Sequence, residues 1–135
     1  MNLRTALKVI AALSALFGIG FAAVPSAVFA PYGVHLDASG TFVARLFGAA
    51  NIGLAIAVWS AADEGAQTRR SLAWGVVGYS VVEGIVSAGA VLTGVANILG
   101  WGFVVLDVVF VAACLALMRP AAEGAPSTAV GSAAD

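Results

Sequence analysis

The sequence predicts an all-α fold, an integral membrane four-helix bundle with up-down connectivity. Three observations predict it. Four apolar runs, spanning about 9–30, 41–62, 71–93 and 98–118, are each long enough to cross a hydrocarbon core of about 30 Å at about 1.5 Å per residue. Only 10% of the 135 residues are charged, where ordinary soluble domains carry about 25%, and the mean hydropathy is +1.03. The stretches between the runs concentrate Pro, Gly, Asp and Arg, the residues that end and connect helices.

The first run follows a short polar start bearing Arg4 and Lys8. Its small residues Ser14, Gly18, Ala22 and Ser26 fall four apart, a spacing that lets another helix approach closely. Basic residues, an apolar run and the small-residue end Val28-Phe29-Ala30 also match a secretory signal peptide. Pro31 directly after Ala30 disfavours cleavage, so the run is expected to stay as a span. The polar turn 31–40 offers Asp37 or Ser39 as a helix cap, and its single His35 has no second metal-ligating residue nearby.

On the second span, Thr41, Ala44, Arg45, Gly48, Asn51, Ile52, Ala55 and Trp59 share one face at about 100° per residue. This reads as the interior face, with Leu46, Ala50, Leu54 and Ala57 opposite it and Ile56 and Val58 towards the edges. A hydrophilic connector is expected at 63–70. The third span gathers Tyr79, Ser80, Glu83, Ser87, Ala90 and Gly94 on one face and Val77, Val81, Ile85, Ala88 and Leu92 on the other. A tight turn at 94–97 precedes the fourth span, with Asn97 as its cap. Asp107 shares a face there with Gly100, Phe103, Val104, Val111, Cys114 and Met118. Residues 119–135 have no periodicity and read as a disordered cytoplasmic tail.

Arg4, Lys8, Arg69, Arg70 and Arg119 all fall on one side of a four-span arrangement, and the 31–40 turn has no Lys or Arg. The positive-inside rule therefore predicts a cell-membrane protein with both termini cytoplasmic. Trp59 and Trp74 then belong to the inner interface, and Tyr32 and Trp101 to the outer one.

An ionisable residue inside a span marks a functional-site hypothesis by default. Helix rise places Asn51, Glu83 and Asp107 about 15 Å below the outer ends and Arg45 about 8 Å below. Side chains tilt towards their helix N-terminus, so Arg45 and Asp107 are expected to form the direct ion pair. Glu83 would then rely on Asn51, Tyr79, a serine or water. Snorkelling of Arg45 to the interface is the structural alternative, and Asn51, Ser80 and Ser87 equally suit interhelical hydrogen bonding.

Several classes are excluded. A net charge of -1 with no basic stripe argues against nucleic acid. One cysteine, Cys114, allows neither an intrachain disulfide nor a CxxC pair. No metal, nucleotide or phosphate motif is present, so no cofactor is implied.

The segment VARLFGAANIGLAIAVWSA (43–61) and the turn-plus-helix GVANILGWGFVVLDVVF (94–110) resemble the small bacterial four-helix membrane proteins related to DoxX. The matching positions are Arg45, Gly48, Asn97, Gly100 and Trp101. The resemblance implies a four-helix bundle across about 5–118 and, by analogy with some relatives, an accessory subunit of a redox system.

Two functional readings follow. The first is an accessory subunit or apolar-ligand-binding component in contact with membrane lipid. The stripes at Ser14/Gly18/Ala22 and Ser80/Gly84/Ala88 suit a homo-oligomer or larger complex. The second is an intramembrane enzyme acting on an isoprenoid- or quinone-like molecule. Glu83 would be the general acid, Asp107 a base or a stabiliser of cationic charge, and Arg45 the anchor of an anionic or carbonyl group. Tyr79, Phe103 and Trp101 would line its cavity.

Overall fold

Pro25 decides how the first helix ends. It has no N–H to donate and disfavours helical geometry at the preceding residue. In the computed structural model, which describes residues 2–118, Val24 leaves the helix with φ -135° and ψ 53°. Helix α1 therefore runs Leu3–Ala23, earlier than the 9–30 expected, and the Asn2 side chain caps it by accepting from the Thr5 N–H. The chain turns through the short helix α2 (Pro25–Phe29) and a 3₁₀ turn at Ala30–Tyr32.

Helix α3 (Ala38–Ala61) begins at Asp37, whose carboxylate accepts from the Gly40 N–H at 2.6 Å. Helix α4 (Ala66–Leu92) starts five residues before the expected span. The polar segment 66–70 is helical rather than a free connector, because Gln and Arg are good helix formers. After Gly94, whose φ of 76° suits a residue without Cβ, a 3₁₀ turn at Ile98–Gly100 leads into helix α5 (Trp101–Met118). The described residues thus form helices and their connecting turns with no strand among them, and four of the helices are long and apolar enough to cross a membrane. The tail expected at 119–135 lies outside them.

The helices pack as two antiparallel pairs. In the first, Arg4 meets Asp63 at one end, and a Cβ on Gly18 would stand 2.9 Å from the Gly48 carbonyl oxygen. A Cβ on Gly48 would lie 2.5 Å from the Ala22 nitrogen and 2.6 Å from the Gly18 oxygen, so α1 and α3 touch backbone to backbone. In the second pair, Gly84 faces Asp107, and Gly100 packs under Val91. Contacts are dense within each pair and sparse between pairs.

The pairs meet chiefly at the end that carries Arg4 and Asp63. Leu7, Ile10, Ala11, Val58, Ala62, Ala73, Val76, Val77, Cys114 and Met118 form the buried cluster there. Burial of Val58 and Val77 corrects their expected outward placement. The α3 interior stripe is Ala44, Gly48, Asn51, Ala55 and Val58, which at about 100° per residue is rotated roughly 40° from a face centred on Gly48.

Above this cluster sits a charged clasp. Asp63 accepts from Arg4 Nε at 2.6 Å and from Lys8 Nζ at 2.8 Å, and Lys8 also lies 5.3 Å from the centre of the Trp59 ring. These hydrogen bonds, Lys8 first, hold the Asp63 carboxyl below the usual aspartate range. At the opposite end Asn97 joins the two pairs. Its amide donates to the Pro31 carbonyl at 2.9 Å and its backbone N–H to the Tyr32 carbonyl at 2.8 Å, while its side chain caps Leu99.

Two predictions follow from this geometry. Gly48→Ala must push α1 away and should destabilise the protein by about 1–3 kcal/mol in a reversible unfolding assay. Gly53→Ala, whose Cβ meets nothing within 4 Å, should be neutral or stabilising by up to about 1 kcal/mol. Separately, a carboxylate with a depressed folded pKa stabilises above its unfolded value, 3.8 for Asp63, and loses that contribution as pH falls through the folded value. Thermal unfolding of wild type between about pH 5 and 3 should therefore decline more steeply than that of Asp63→Asn.

Candidate functional site

Because the pairs diverge away from the Arg4–Asp63 end, a cavity of about 710 Å³ opens between them. One wall is aromatic and comes from the turn that Pro25 creates. Phe21 stacks on Phe29 with ring centres 5.2 Å apart and meets Phe47 at 5.3 Å, while Tyr32 packs on Phe103 at 4.8 Å. The opposite wall is α4, with Gly78, Val82, Val86 and Ala90. Val82, Val86 and Val95 form an exposed rim, so the cavity is a groove open to the surroundings of the chain. Its polar lining groups include Tyr79 and Glu83.

Behind the groove lies a second, small cavity of about 40 Å³ at the centre of the four helices. Asn51, Tyr79, Ser80, Glu83 and Asp107 line it, with Ser14 from α1. The Tyr79 hydroxyl donates to Asn51 Oδ1 at 3.1 Å, and Asn51 Nδ2 donates to the Phe47 carbonyl at 3.2 Å. Asp107 and Ser80 are buried, at 6% and 1% exposure, and among the described residues neither Asp107 Oδ2 nor Ser80 Oγ has a hydrogen bond of good geometry, although the two side chains stand beside each other. Gly84 creates room for Asp107: a Cβ there would sit 3.5 Å from the Asp107 Cβ and 3.6 Å from its Oδ2. Phe21, Tyr79, Glu83 and Phe103 line both cavities and so form their common boundary.

The structure therefore brings Asn51, Tyr79, Glu83, Asp107 and Phe103 together. It does not bring in Arg45 or Trp101, which line neither cavity. Arg45 is exposed, and the expected ion pair with Asp107 does not form. The cause is the α1–α3 crossing, which turns Ala44, Gly48 and Asn51 inward and leaves Arg45 one residue past the buried stripe. The Tyr79 hydroxyl donates to Asn51 Oδ1 and also stands beside the Glu83 carboxyl. Among the described residues, no group of His, Cys, Asp and Glu is arranged to hold a metal.

The aromatic wall of Phe21, Phe29, Tyr32 and Phe47 was not read from the sequence. In an apolar span a phenylalanine looks lipid-facing, and the available signal was Pro25, which folds Phe29 back over Phe21. The small-residue stripes also turn out to be used within the chain: Gly18 and Ala22 meet Gly48, Ser80 is buried, and Gly84 meets Asp107.

Comparison of the chain with protein-family models, curated proteins and solved structures found no match.

Loss of the Tyr79 hydroxyl leaves Asn51 Oδ1 buried without its donor. Tyr79→Phe should therefore cost about 0.5–2 kcal/mol, the range spanned by interhelical hydrogen bonds in membranes, measured by reversible unfolding in micelles. A further loss below about 0.3 kcal/mol when Asn51→Leu is added to Tyr79→Phe would show the two acting as one unit.

Proposed function

We propose that this protein is a small multi-pass membrane component that binds an apolar molecule in the groove between its helix pairs. The observation that carries the reading is the groove itself. Its volume of about 710 Å³ falls within the roughly 300–1,000 Å³ of ligand pockets, and its lining is apolar apart from a few polar groups that include Tyr79 and Glu83. An apolar occupant would reach it laterally across the rim of Val82, Val86 and Val95.

In this reading the helices alternate up and down across the cell membrane, with Arg4, Lys8, Arg69 and Arg70 on the cytoplasmic side. The groove then opens towards the outer half of the bilayer. The Lys8–Trp59 stacking supports an interfacial position for that end, where cation–aromatic contacts are at home. The accessory-subunit reading has less support than the sequence offered, because the stripes that suit partner contacts are used internally. An acid–base reaction on the bound molecule has Glu83 at the boundary of both cavities but lacks the contribution expected of Arg45.

The test is ligand-induced thermal stabilisation of the full chain in phosphatidylcholine nanodiscs, with 1-dodecanol as the probe. A saturable rise in unfolding temperature is expected. Gly78→Phe should abolish it while folding normally, since a Cβ at Gly78 meets nothing within 4 Å and the ring fills the groove. Absence of stabilisation would overturn the reading. So would a stable dimer that Gly78→Phe dissociates, which would assign the groove to a second copy of the chain.

A further inference from the structure

We infer that the small polar cavity takes the primary ammonium head of a single-chain amphiphile whose tail lies in the groove. The inference rests on the groove being a ligand site and adds the chemistry of the head group. Three observations carry it.

The first is the pair of unpartnered oxygens. Asp107 Oδ2 and Ser80 Oγ belong to residues more than nine-tenths buried that line the cavity; among the described residues neither atom has a hydrogen bond of good geometry, the Ser80 hydroxyl standing beside the Asp107 carboxyl. Buried polar atoms left unpaired are costly, so a group that donates hydrogen bonds is favoured here over one that only accepts them.

The second is charge. Glu83 and Asp107 line the cavity, and among the described residues no Lys, Arg or His lines either cavity. Arg4 and Lys8 are engaged with Asp63, Arg69 donates to the Glu64 carbonyl, and Arg45 is exposed outside the site. A cationic head would supply the positive charge that the described residues do not place here. Two carboxyl groups without a basic side chain beside them disfavour a carboxylate or phosphate head, which gives the site selectivity by exclusion as well as attraction.

The third is size and continuity. A cavity of about 40 Å³ accommodates one or two water-sized groups. An –NH₃⁺ group fits, and its three donors match carboxylate and hydroxyl acceptors. A trimethylammonium head does not fit. Tyr79 and Glu83 line both cavities, so a head in the polar cavity and a tail in the groove belong to one continuous molecule.

The experiment compares 1-dodecylamine, 1-dodecanol, dodecanoate and dodecyltrimethylammonium, binding to the full chain in phosphatidylcholine nanodiscs at pH 7. Thermal stabilisation gives each dissociation constant. The amine should bind at least about tenfold tighter than the alcohol, as expected for charge-assisted hydrogen bonds. The trimethylammonium compound should bind no tighter than the alcohol, and dodecanoate should be weakest. Asp107→Asn should remove the amine's advantage over the alcohol. Ser80→Ala, a smaller change, should reduce that advantage and serves if Asp107→Asn does not fold. Equal binding of amine and alcohol, tight binding of the trimethylammonium head, or an amine preference that survives both substitutions would overturn the head-group assignment while leaving the groove intact. No stabilisation by any of the four would overturn the groove reading and this inference with it.

Discussion

The backbone crossing of α1 and α3 at Gly18 and Gly48 is the constraint on which the rest of the molecule depends. Between helices in lipid no hydrophobic force distinguishes one apolar face from another, so close van der Waals packing decides which faces meet. Two glycines at the crossing permit an approach that any Cβ would block. Once Gly48 faces α1, the rotation of α3 is fixed. Asn51 and Ala55 turn inward with it, Val58 joins the core, and Arg45 is carried out to the surface.

A second consequence is asymmetry between the two ends. Each helix pair is tightly packed in itself, so the relation between pairs is set by whatever joins them. At the Arg4–Asp63 end the join is a packed apolar cluster beneath the charged clasp. At the other end it includes Asn97, which binds the Pro31 and Tyr32 carbonyls with one side chain and one backbone N–H. Between these joins the pairs separate and the groove opens. The aromatic cluster around Phe21 stiffens one wall, since offset ring pairs add about 0.5–1.5 kcal/mol each beyond their buried area. The groove is thus held open by packed elements on both sides.

Much of this was legible in the sequence, for reasons that can be traced residue by residue. Hydropathy and turn chemistry located all four long helices, because a span needs an apolar length and its ends need Gly, Asn or Asp. The stripe Gly100–Asp107–Cys114 was read correctly, since residues seven apart stay on one face of a helix. The layer of Asn51, Glu83 and Asp107 was legible because polar residues stand out in an apolar chain, and all three line the central cavity. Arg45 was misplaced, because helical periodicity gives a face to within about 40°, and a long charged side chain at its edge falls either way. The Asp63 clasp was missed for a different reason. Its partners Arg4 and Lys8 are more than fifty residues away in sequence, and only the antiparallel pairing brings them within reach.

The displacement of Arg45 changes the chemistry that the site can perform. With an arginine beside Asp107, the midplane would be a paired network of near-neutral charge, suited to a carbonyl or anionic group. Without it, the Glu83 and Asp107 carboxyls and the Ser80 hydroxyl stand behind an apolar groove that, among the described residues, no cation lines. Buried charge is tolerated only when paired and hydrogen-bonded. In the reading proposed above, the complement of the site is a molecule that is apolar along its length, small at its head, and rich in donors there. The rotation of α3 imposed by Gly18 and Gly48, roughly 40° from a face centred on Gly48, is what keeps Arg45 out of the site.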